Sequence, residues 1–255
     1  MSAETNKSKM LEQYQADGFL VFRGFLASTA LAELRSNVDR LLGEMVPNLP
    51  REHVFYEDRN DSATLKQIQH LEEHDAWFHG LLTAGLFREL AESLLGGPVV
   101  PKNMQYFNKP PGIGLPTPPH QDGYYFMLDP CEALTMWFAL DDVDEENGCV
   151  RYATGSHRLG MRRHDRTGTL GFSQGIVNYP TEQDRLSEVA LPAEPGDLLV
   201  HDALTIHRAD QNRSVGRSRR ALGLIYYSQN AREDTAAHAA YQQRLSDEMK
   251  SAGRI

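Results

Sequence analysis

The segment Pro118–Phe126 reads PPHQDGYYF and joins two potential metal ligands to an aromatic run with strand character. His120 and Asp122 are separated by one residue. On an extended strand, residues two apart project to the same face, so the imidazole and the carboxylate are predicted to lie side by side. A nitrogen donor and an oxygen donor placed in this way form two corners of a divalent metal site.

His207 is the best candidate for a third ligand. It ends the segment Leu198–His207, LLVHDALTIH, an apolar stretch with strand character. Two histidines and one carboxylate on one face of a metal leave three positions open, which is the arrangement of non-haem Fe(II) oxygenases. A His-x-Asp pair alone is common, but the prolines, the glycine and the aromatic run beside this pair favour a metal site over a core or surface histidine.

Composition limits the classes of protein that the chain can belong to. The 255 residues and the hydrophobic content of 40% suit a packed globular core. The formal net charge of −9 argues against nucleic acid or an anionic membrane as the main partner. The two cysteines, Cys131 and Cys149, indicate reduced thiols in a cytoplasmic protein rather than a disulfide framework. No signal peptide, no apolar run of membrane-spanning length and no signal for an oligomeric state is present.

Periodicity predicts a single domain over 1–255 in three parts. These are a helical part over about 9–98, a β-rich core over about 99–230 and a final amphipathic helix over about 233–250. From Val99 onward, short apolar strands alternate with turn sequences, and no helical period separates them. The expected fold is therefore mainly β, with antiparallel strands in a sandwich or jelly roll and helices packed outside.

Three local expectations concern segments away from the ligands. Residues 1–8 resemble a disordered tail before a short helix over Lys9–Ala16. The pair Ser28 and Thr29 offers a plausible N-cap of the next helix. The segment Leu159–Leu186 is polar and has no clear period, which favours a long active-site lid.

The motifs of the chain, taken in order, resemble those of the phytanoyl-CoA dioxygenase family, a branch of the Fe(II)/2-oxoglutarate oxygenases. The likeness spans most of residues 10–230. It is carried by PHQDGYY over 119–125, WFALDDVDEENGC over 137–149, TGSH over 154–157, PGD over 195–197, IH over 206–207 and RRAL over 219–222. The resemblance implies a double-stranded β-helix, which is a cupin-like jelly roll and agrees with the strand pattern.

The resemblance also implies an activity and its cofactors. His120, Asp122 and His207 would hold Fe(II), with 2-oxoglutarate and O2 as co-substrates. The reaction would hydroxylate a C–H bond of a small molecule and release succinate and CO2. The arginine that binds the far carboxylate of 2-oxoglutarate falls on Arg219, one residue later than the usual spacing, and Arg217 and Arg220 are alternatives.

Four further residues are expected in the same pocket. Gln105 and Asn108 occupy positions at which relatives contact 2-oxoglutarate. Thr135 and Trp137 share one face of the next strand, so both are expected to line the cofactor pocket. For Trp137, core packing explains the residue nearly as well.

The substrate is less defined by the sequence. Arg208 directly follows the third ligand and either contacts substrate or points to solvent. Cationic side chains near the expected pocket edge, among them Arg162 and Arg163, suggest an anionic small molecule.

Two other classes of protein stay open at this point. One is a metal-dependent cupin-type enzyme that uses zinc without 2-oxoglutarate, and the other is a catalytically silent jelly-roll binding protein. The arginine cluster after His207 argues against the first, and the intact set of three ligands argues against the second.

Overall fold

The structure is a computed structural model that describes residues 3–169 and 172–251. Its helices are α1 (Ala3–Asp17), α2 (Ser28–Arg40), α3 (Leu71–His74), α4 (Ala76–Thr83), α5 (Leu86–Leu95), α6 (Gly123–Phe126), α7 (Glu182–Ser187) and α8 (Thr235–Ser251). Its strands are β1 (Phe19–Phe22), β2 (Val54–Tyr56), β3 (Leu65–Ile68), β4 (Val99–Lys109), β5 (Thr117–His120), β6 (Leu128–Asp129), β7 (Ala133–Ala139), β8 (Val150–Ala153), β9 (His164–Thr169), β10 (Phe172–Ile176), β11 (Glu188–Leu191), β12 (Leu198–Asp202), β13 (His207–Ala209), β14 (Arg219–Ser228) and β15 (Arg232–Glu233).

Two antiparallel sheets form the centre of the fold. The major sheet has the strand order β1-β12-β7-β14-β4-β3-β2, and the minor sheet has the order β11-β8-β13-β5. Trp137 of the major sheet and Tyr152 of the minor sheet belong to one buried cluster, so the two sheets face each other. The prediction of a jelly-roll core with flanking helices is confirmed.

The two faces of the major sheet have different partners because side chains alternate along each strand. On β12, Leu198 and Val200 pack into the larger core with the helices, whereas Leu199 joins the cluster between the sheets. His201 has the same parity as Leu199 and lines a cavity between the sheets. The alternation therefore places polar side chains of the major sheet opposite the minor sheet.

The first hundred residues contribute strands as well as helices. β1, β2 and β3 extend the major sheet at its two ends. The core on the outer face of this sheet also contains buried side chains of the helices, such as Leu34 of α2, Phe78 of α4 and Phe87 of α5. No helix among the described residues is long and apolar enough to cross a membrane.

Two local expectations were wrong, and a third stays a prediction. Helix α1 begins at Ala3, so the described residues before Lys9 are helical rather than a tail, and residues 1 and 2 lie outside the described range. The N-cap of α2 is Ala27, whose side chain has no hydrogen-bonding group, and Ser28 is already helical. The polar segment after Leu159 contains the hairpin of β9 and β10 and helix α7, in a stretch that lacks local periodicity, and its role as an active-site lid stays a prediction.

Candidate metal centre

The two histidines lie on neighbouring strands of the minor sheet. His207 of β13 is directly opposite His120 of β5 in the antiparallel register. Directly opposed residues project to the same face of a sheet with their Cβ atoms about 5 Å apart. The centroids of the two imidazole rings are 4.1 Å apart as a result.

Backbone carbonyls fix the tautomers of both rings. The Nδ1 atom of His120 lies 2.8 Å from the carbonyl oxygen of Pro118, and Nδ1 of His207 lies 3.1 Å from that of Thr205. A carbonyl only accepts, so each Nδ1 carries the hydrogen and each neutral ring presents the Nε2 lone pair. Burial also holds the pKa of His207 well below its usual value, which keeps a lone pair free for a metal.

Asp122 reaches the histidines from a helical turn and not from a strand. β5 ends at His120, Asp122 has φ −60° and ψ −34°, and α6 begins at Gly123. The extended-strand argument for the pair was therefore wrong in its geometry, although the two side chains do meet. The turn is held by the backbone of Gly123, whose N–H donates to the carbonyl of Ala203.

The two oxygens of the Asp122 carboxylate have different partners. Oδ1 lies 3.3 Å from Nε2 of His120 and 3.6 Å from Nε2 of His207. Oδ2 accepts a hydrogen bond of 2.6 Å from Thr135 and lies 3.1 Å from Nε2 of His201. Burial favours the neutral acid, but the neighbouring imidazoles of His207, His120 and His201 outweigh it and hold the pKa of Asp122 well below its usual value.

The three ligand atoms fit a divalent metal ion. Metal–ligand bonds of about 2.0–2.2 Å place neighbouring ligands about 3.0–3.4 Å apart. The distances from Asp122 Oδ1 to the two Nε2 atoms, 3.3 and 3.6 Å, are close to this range before any metal draws the ligands together. Because His120, Asp122 and His207 are also mutually close and lie in a cavity, two nitrogens and one oxygen can bind Fe(II) and leave positions open.

Arg219 lines the same cavity as a buried cation. Its side chain is inside the protein, its Nε donates to the carbonyl of Gly148 over 3.0 Å, and its guanidinium carbon lies 5.2 Å from the ring centroid of Trp137. Among the residues that the structure describes, no carboxylate pairs with it. Burial consequently lowers the pKa of Arg219 to about 10.

The neighbouring arginines have partners of their own. Arg217 lies 2.8 Å from Asp144 and 2.6 Å from Glu146, near the surface. Arg220 points to the other face of β14 and lies 2.8 Å from Asp141. Only the central arginine of the three therefore faces the cavity with a guanidinium that the described carboxylates leave unpaired.

Two lysines that the sequence reasoning missed also border the cavity. Lys109 is directly opposite Arg219 in the pairing of β4 with β14, and its Nζ donates to the carbonyl of Leu115. Burial, followed by the charge of Arg219, holds the pKa of Lys109 well below its usual value. Lys66 of β3 lies 3.3 Å from Glu57. Lys109 is visible in the sequence as the first residue of the KPPG turn, but its burial depends on pairing between distant strands.

The four other predicted pocket residues are placed differently from one another. Thr135 and Trp137 line the cavity on one face of β7, and Thr135 contacts Asp122. Asn108 borders the cavity, with its side-chain amide bonded to the carbonyl of Leu65. Gln105 is not one of the cavity-lining residues, and its side-chain oxygen accepts a hydrogen bond from Gln67, which does line the cavity.

The cationic residues proposed for the pocket edge are engaged by acidic side chains. Arg208 lines the cavity but lies 2.7 Å from Glu188 and 2.6 Å from Asp210. Arg162 lies 2.8 Å from Asp184. These charges are balanced within the protein, so they do not indicate an anionic ligand.

A second group of possible ligands lies outside the cavity, at the end of β3. Nδ1 of His70 is 3.7 Å from Glu72 and 3.2 Å from Glu73. The carboxylates of Glu72 and Glu73 raise the pKa of His70, against the opposing effect of partial burial. This arrangement is that of an imidazolium between two carboxylates.

The family model of phytanoyl-CoA dioxygenase (PhyH) matches residues 14–221. The chain belongs to the phytanoyl-CoA dioxygenase family. The resemblance inferred from the motifs is confirmed, and the match contains all three candidate metal ligands together with Arg219.

Curated members of the PhyH family cover most of this chain. Phytanoyl-CoA dioxygenase of Arabidopsis thaliana is 28% identical over 249 residues, with 84% of this chain and 86% of the relative aligned. The peroxisomal enzyme of Mus musculus is 26% identical over 83% of this chain, and the chain spans 66% of that enzyme's length.

Solved structures with the same fold include two that contain 2-oxoglutarate (alpha ketoglutarate). EctD from S. alaskensis, with 2-oxoglutarate and 5-hydroxyectoine, has a TM-score of 0.73 at 19% identity and covers 92% of this chain and 78% of its own. The epimerase SnoN, in complex with Fe3+, alpha ketoglutarate and nogalamycin RO, has a TM-score of 0.71 at 24% identity and covers 90% of this chain and 86% of its own. At these identities the two comparisons establish only that EctD and SnoN share the fold of this protein.

Proposed function

We propose that the protein is an Fe(II)- and 2-oxoglutarate-dependent dioxygenase that hydroxylates a C–H bond of a small molecule and releases succinate and CO2. The observation that carries the proposal is the pairing of a two-histidine, one-carboxylate metal site with the unpaired guanidinium of Arg219 in one cavity. Membership of the PhyH family supports the same activity. We propose a single oxygenase domain over 1–255 in the cytoplasm, where its two cysteines would stay free.

His120, Asp122 and His207 would hold Fe(II), which when bound activates O2 for oxidation of the substrate. The chain supplies the ligand geometry through the carbonyls that orient both imidazoles and the donors that fix Oδ2 of Asp122. These contacts are made before the metal arrives, so little side-chain freedom is lost on binding.

Arg219 would bind the far carboxylate of 2-oxoglutarate. A planar guanidinium donates two parallel hydrogen bonds to a carboxylate, which fixes the orientation of the co-substrate as well as its position. Trp137 lies against the guanidinium and limits its access to water. Lys109, directly opposite Arg219 in the pairing of β4 with β14, places an amine at the same wall of the cavity.

The substrate proposal is limited to a small molecule. The anionic character suggested by the sequence has no support from Arg162 or Arg208, whose charges are balanced by acidic neighbours. Arg163, with 81% of its side chain exposed, is 3.6 Å from Asp165 and is not one of the cavity-lining residues.

An anaerobic titration tests the proposal. Apoprotein is titrated with Fe(II) and then with 2-oxoglutarate while the weak visible charge-transfer band of the chelate is recorded. The wild type is expected to show the band, and His120→Ala is expected to lose it. Arg219→Met is expected to need far more 2-oxoglutarate to produce it.

The outcomes separate the competing classes of protein. Iron binding without the band would favour a cupin-type metalloenzyme that does not use 2-oxoglutarate, and would overturn the proposal. Absence of metal binding would favour a silent binding protein. Under air and without added substrate, the iron-loaded protein is expected to convert 2-oxoglutarate to succinate, and this conversion is expected to require iron.

A further inference from the structure

We propose that His201 is a positioning residue that, together with Tyr152, makes Asp122 offer a single oxygen to the metal. This inference rests on the proposed metal site and extends it to two residues outside the ligand set. His201 lies on β12 of the major sheet, across the cavity from the two histidine ligands on the minor sheet. Its side chain is buried, with 3% exposed.

The contacts of His201 form a short chain of hydrogen bonds. Its Nε2 lies 3.1 Å from Oδ2 of Asp122, and its Nδ1 lies 2.9 Å from the hydroxyl oxygen of Tyr152. An ionised carboxylate only accepts, so Nε2 must carry a hydrogen. In the neutral ring Nδ1 then accepts, and the hydroxyl of Tyr152 donates to it. The carboxylate thus sets the tautomer of His201, and the buried hydroxyl of Tyr152 holds the ring by donating to its other nitrogen.

This chain has a consequence for the metal. Oδ2 is bound by two donors from the major sheet, Thr135 and His201. Oδ1 is the oxygen that faces the two Nε2 atoms of the ligand histidines. A carboxylate without the donor from His201 is freer to rotate about its C–C bond and to offer both oxygens to the metal. The second oxygen would then occupy a position that the co-substrate or O2 requires.

Simple core packing is the alternative role for His201. Its ring centroid lies 4.2 Å from that of His207 and 5.2 Å from that of Tyr152, so it also fills space behind the site. A packing role depends on the size of the ring, whereas the proposed role depends on the hydrogen at Nε2. Substitutions that separate ring size from the donor distinguish the two roles.

The variants are His201→Phe, which keeps an aromatic ring without a donor, and His201→Gln, whose amide can donate to Asp122. Tyr152→Phe removes only the hydroxyl that donates to Nδ1 of His201. Tyr226→Phe is its matched control, because Tyr226 is buried and its hydroxyl donates to the carbonyl of Leu82 over 2.9 Å, away from the metal site. Anaerobic titration with Co(II) gives the dissociation constant, and the visible ligand-field spectrum reports coordination number.

His201→Phe is expected to weaken Co(II) binding about 10–100-fold, the usual cost of losing a residue that orients a ligand. The spectrum of His201→Phe is expected to shift toward a higher coordination number. His201→Gln is expected to recover part of the Co(II) affinity. Tyr152→Phe is expected to weaken Co(II) binding and to shift the spectrum in the same direction as His201→Phe. Tyr226→Phe is expected to match the wild type.

Wild-type affinity and spectrum in His201→Phe would overturn the proposal, as would His201→Gln behaving like His201→Phe. If His201→Phe does not fold, the comparison of Tyr152→Phe with Tyr226→Phe decides, and equal Co(II) binding by these two would overturn it. Failure of the wild type to bind Co(II) would instead refute the metal site and with it the proposed function.

Discussion

Replacing Arg219 with methionine is expected to abolish tight binding of 2-oxoglutarate while leaving the protein folded. Arg219 is 4% exposed and lies beside Trp137 without a carboxylate partner among the described residues. Removing one member of a buried, hydrogen-bonded charge pair costs about 2–5 kcal/mol. At about 1.4 kcal/mol per tenfold change, the dissociation constant is expected to rise between about 30-fold and 4000-fold.

The same substitution has a predictable effect on stability. Burial lowers the pKa of Arg219 to about 10, which corresponds to a free-energy cost of about 3 kcal/mol for holding the charged form in the unliganded protein. Methionine removes this cost and packs against Trp137, but it loses the hydrogen bond to Gly148, which contributes about 1 kcal/mol. The unliganded variant is therefore expected to unfold at the same temperature as the wild type or at a higher one.

Calorimetric titration of the Mn(II)-loaded protein with 2-oxoglutarate measures the affinity without turnover. Arg217→Met is the matched control, since Arg217 lies near the surface and pairs with Asp144 and Glu146. Equal affinity in Arg219→Met and Arg217→Met would refute the assignment. A large fall in the unfolding temperature of unliganded Arg219→Met would show that the guanidinium stabilises the fold and is not held for an anion.

Two further predictions concern the frame around the cavity. Gly123→Ala is expected to lower the free energy of unfolding by about 1–3 kcal/mol, because the added Cβ would lie 2.5 Å from Sγ of Cys131. Urea unfolding measures the loss, and the double variant with Cys131→Ala is expected to recover stability. Full stability in Gly123→Ala alone would contradict the crowding. The pKa of His70 is raised in the folded state by Glu72 and then Glu73, so its contribution to stability is present below the unfolded pKa of about 6.5 and is lost as pH rises through the folded value. His70→Gln should therefore have a lower free energy of unfolding than the wild type at pH 5.5 and match it at pH 9. An equal difference at both pH values would exclude this ionisation.

The candidate ligands could be predicted from sequence because they lie in short, dense motifs. The spacing of His120 and Asp122 identified the pair even though the chain turns into α6 between them. Strand alternation separated Arg219 from Arg220, whose side chains do point to opposite faces. In both cases the relevant information was local.

Contacts between the sheets were not predictable in the same way. His201 is an unremarkable residue in an apolar strand, and only the approach of the two sheets brings it to Oδ2 of Asp122. Gln105 was expected in the pocket, but pairing of β3 with β4 brings Gln67 to the cavity, and Gln105 only accepts a hydrogen bond from it. The order within Leu159–Leu186 likewise depends on pairing that no local period announces. Long-range register decides each of these, and a single sequence does not encode it in a readable form.

The edge position of β1 has a consequence for synthesis of the protein. Phe19 of β1 pairs with His201 of β12, so β1 leaves the ribosome long before the strand to which it hydrogen-bonds. Until β12 emerges, the apolar sequence Phe19–Phe22 has no partner strand and is open to association with other chains. We therefore expect the yield of native protein to depend on chaperones that shield this nascent segment, and to rise when synthesis through β12 is fast.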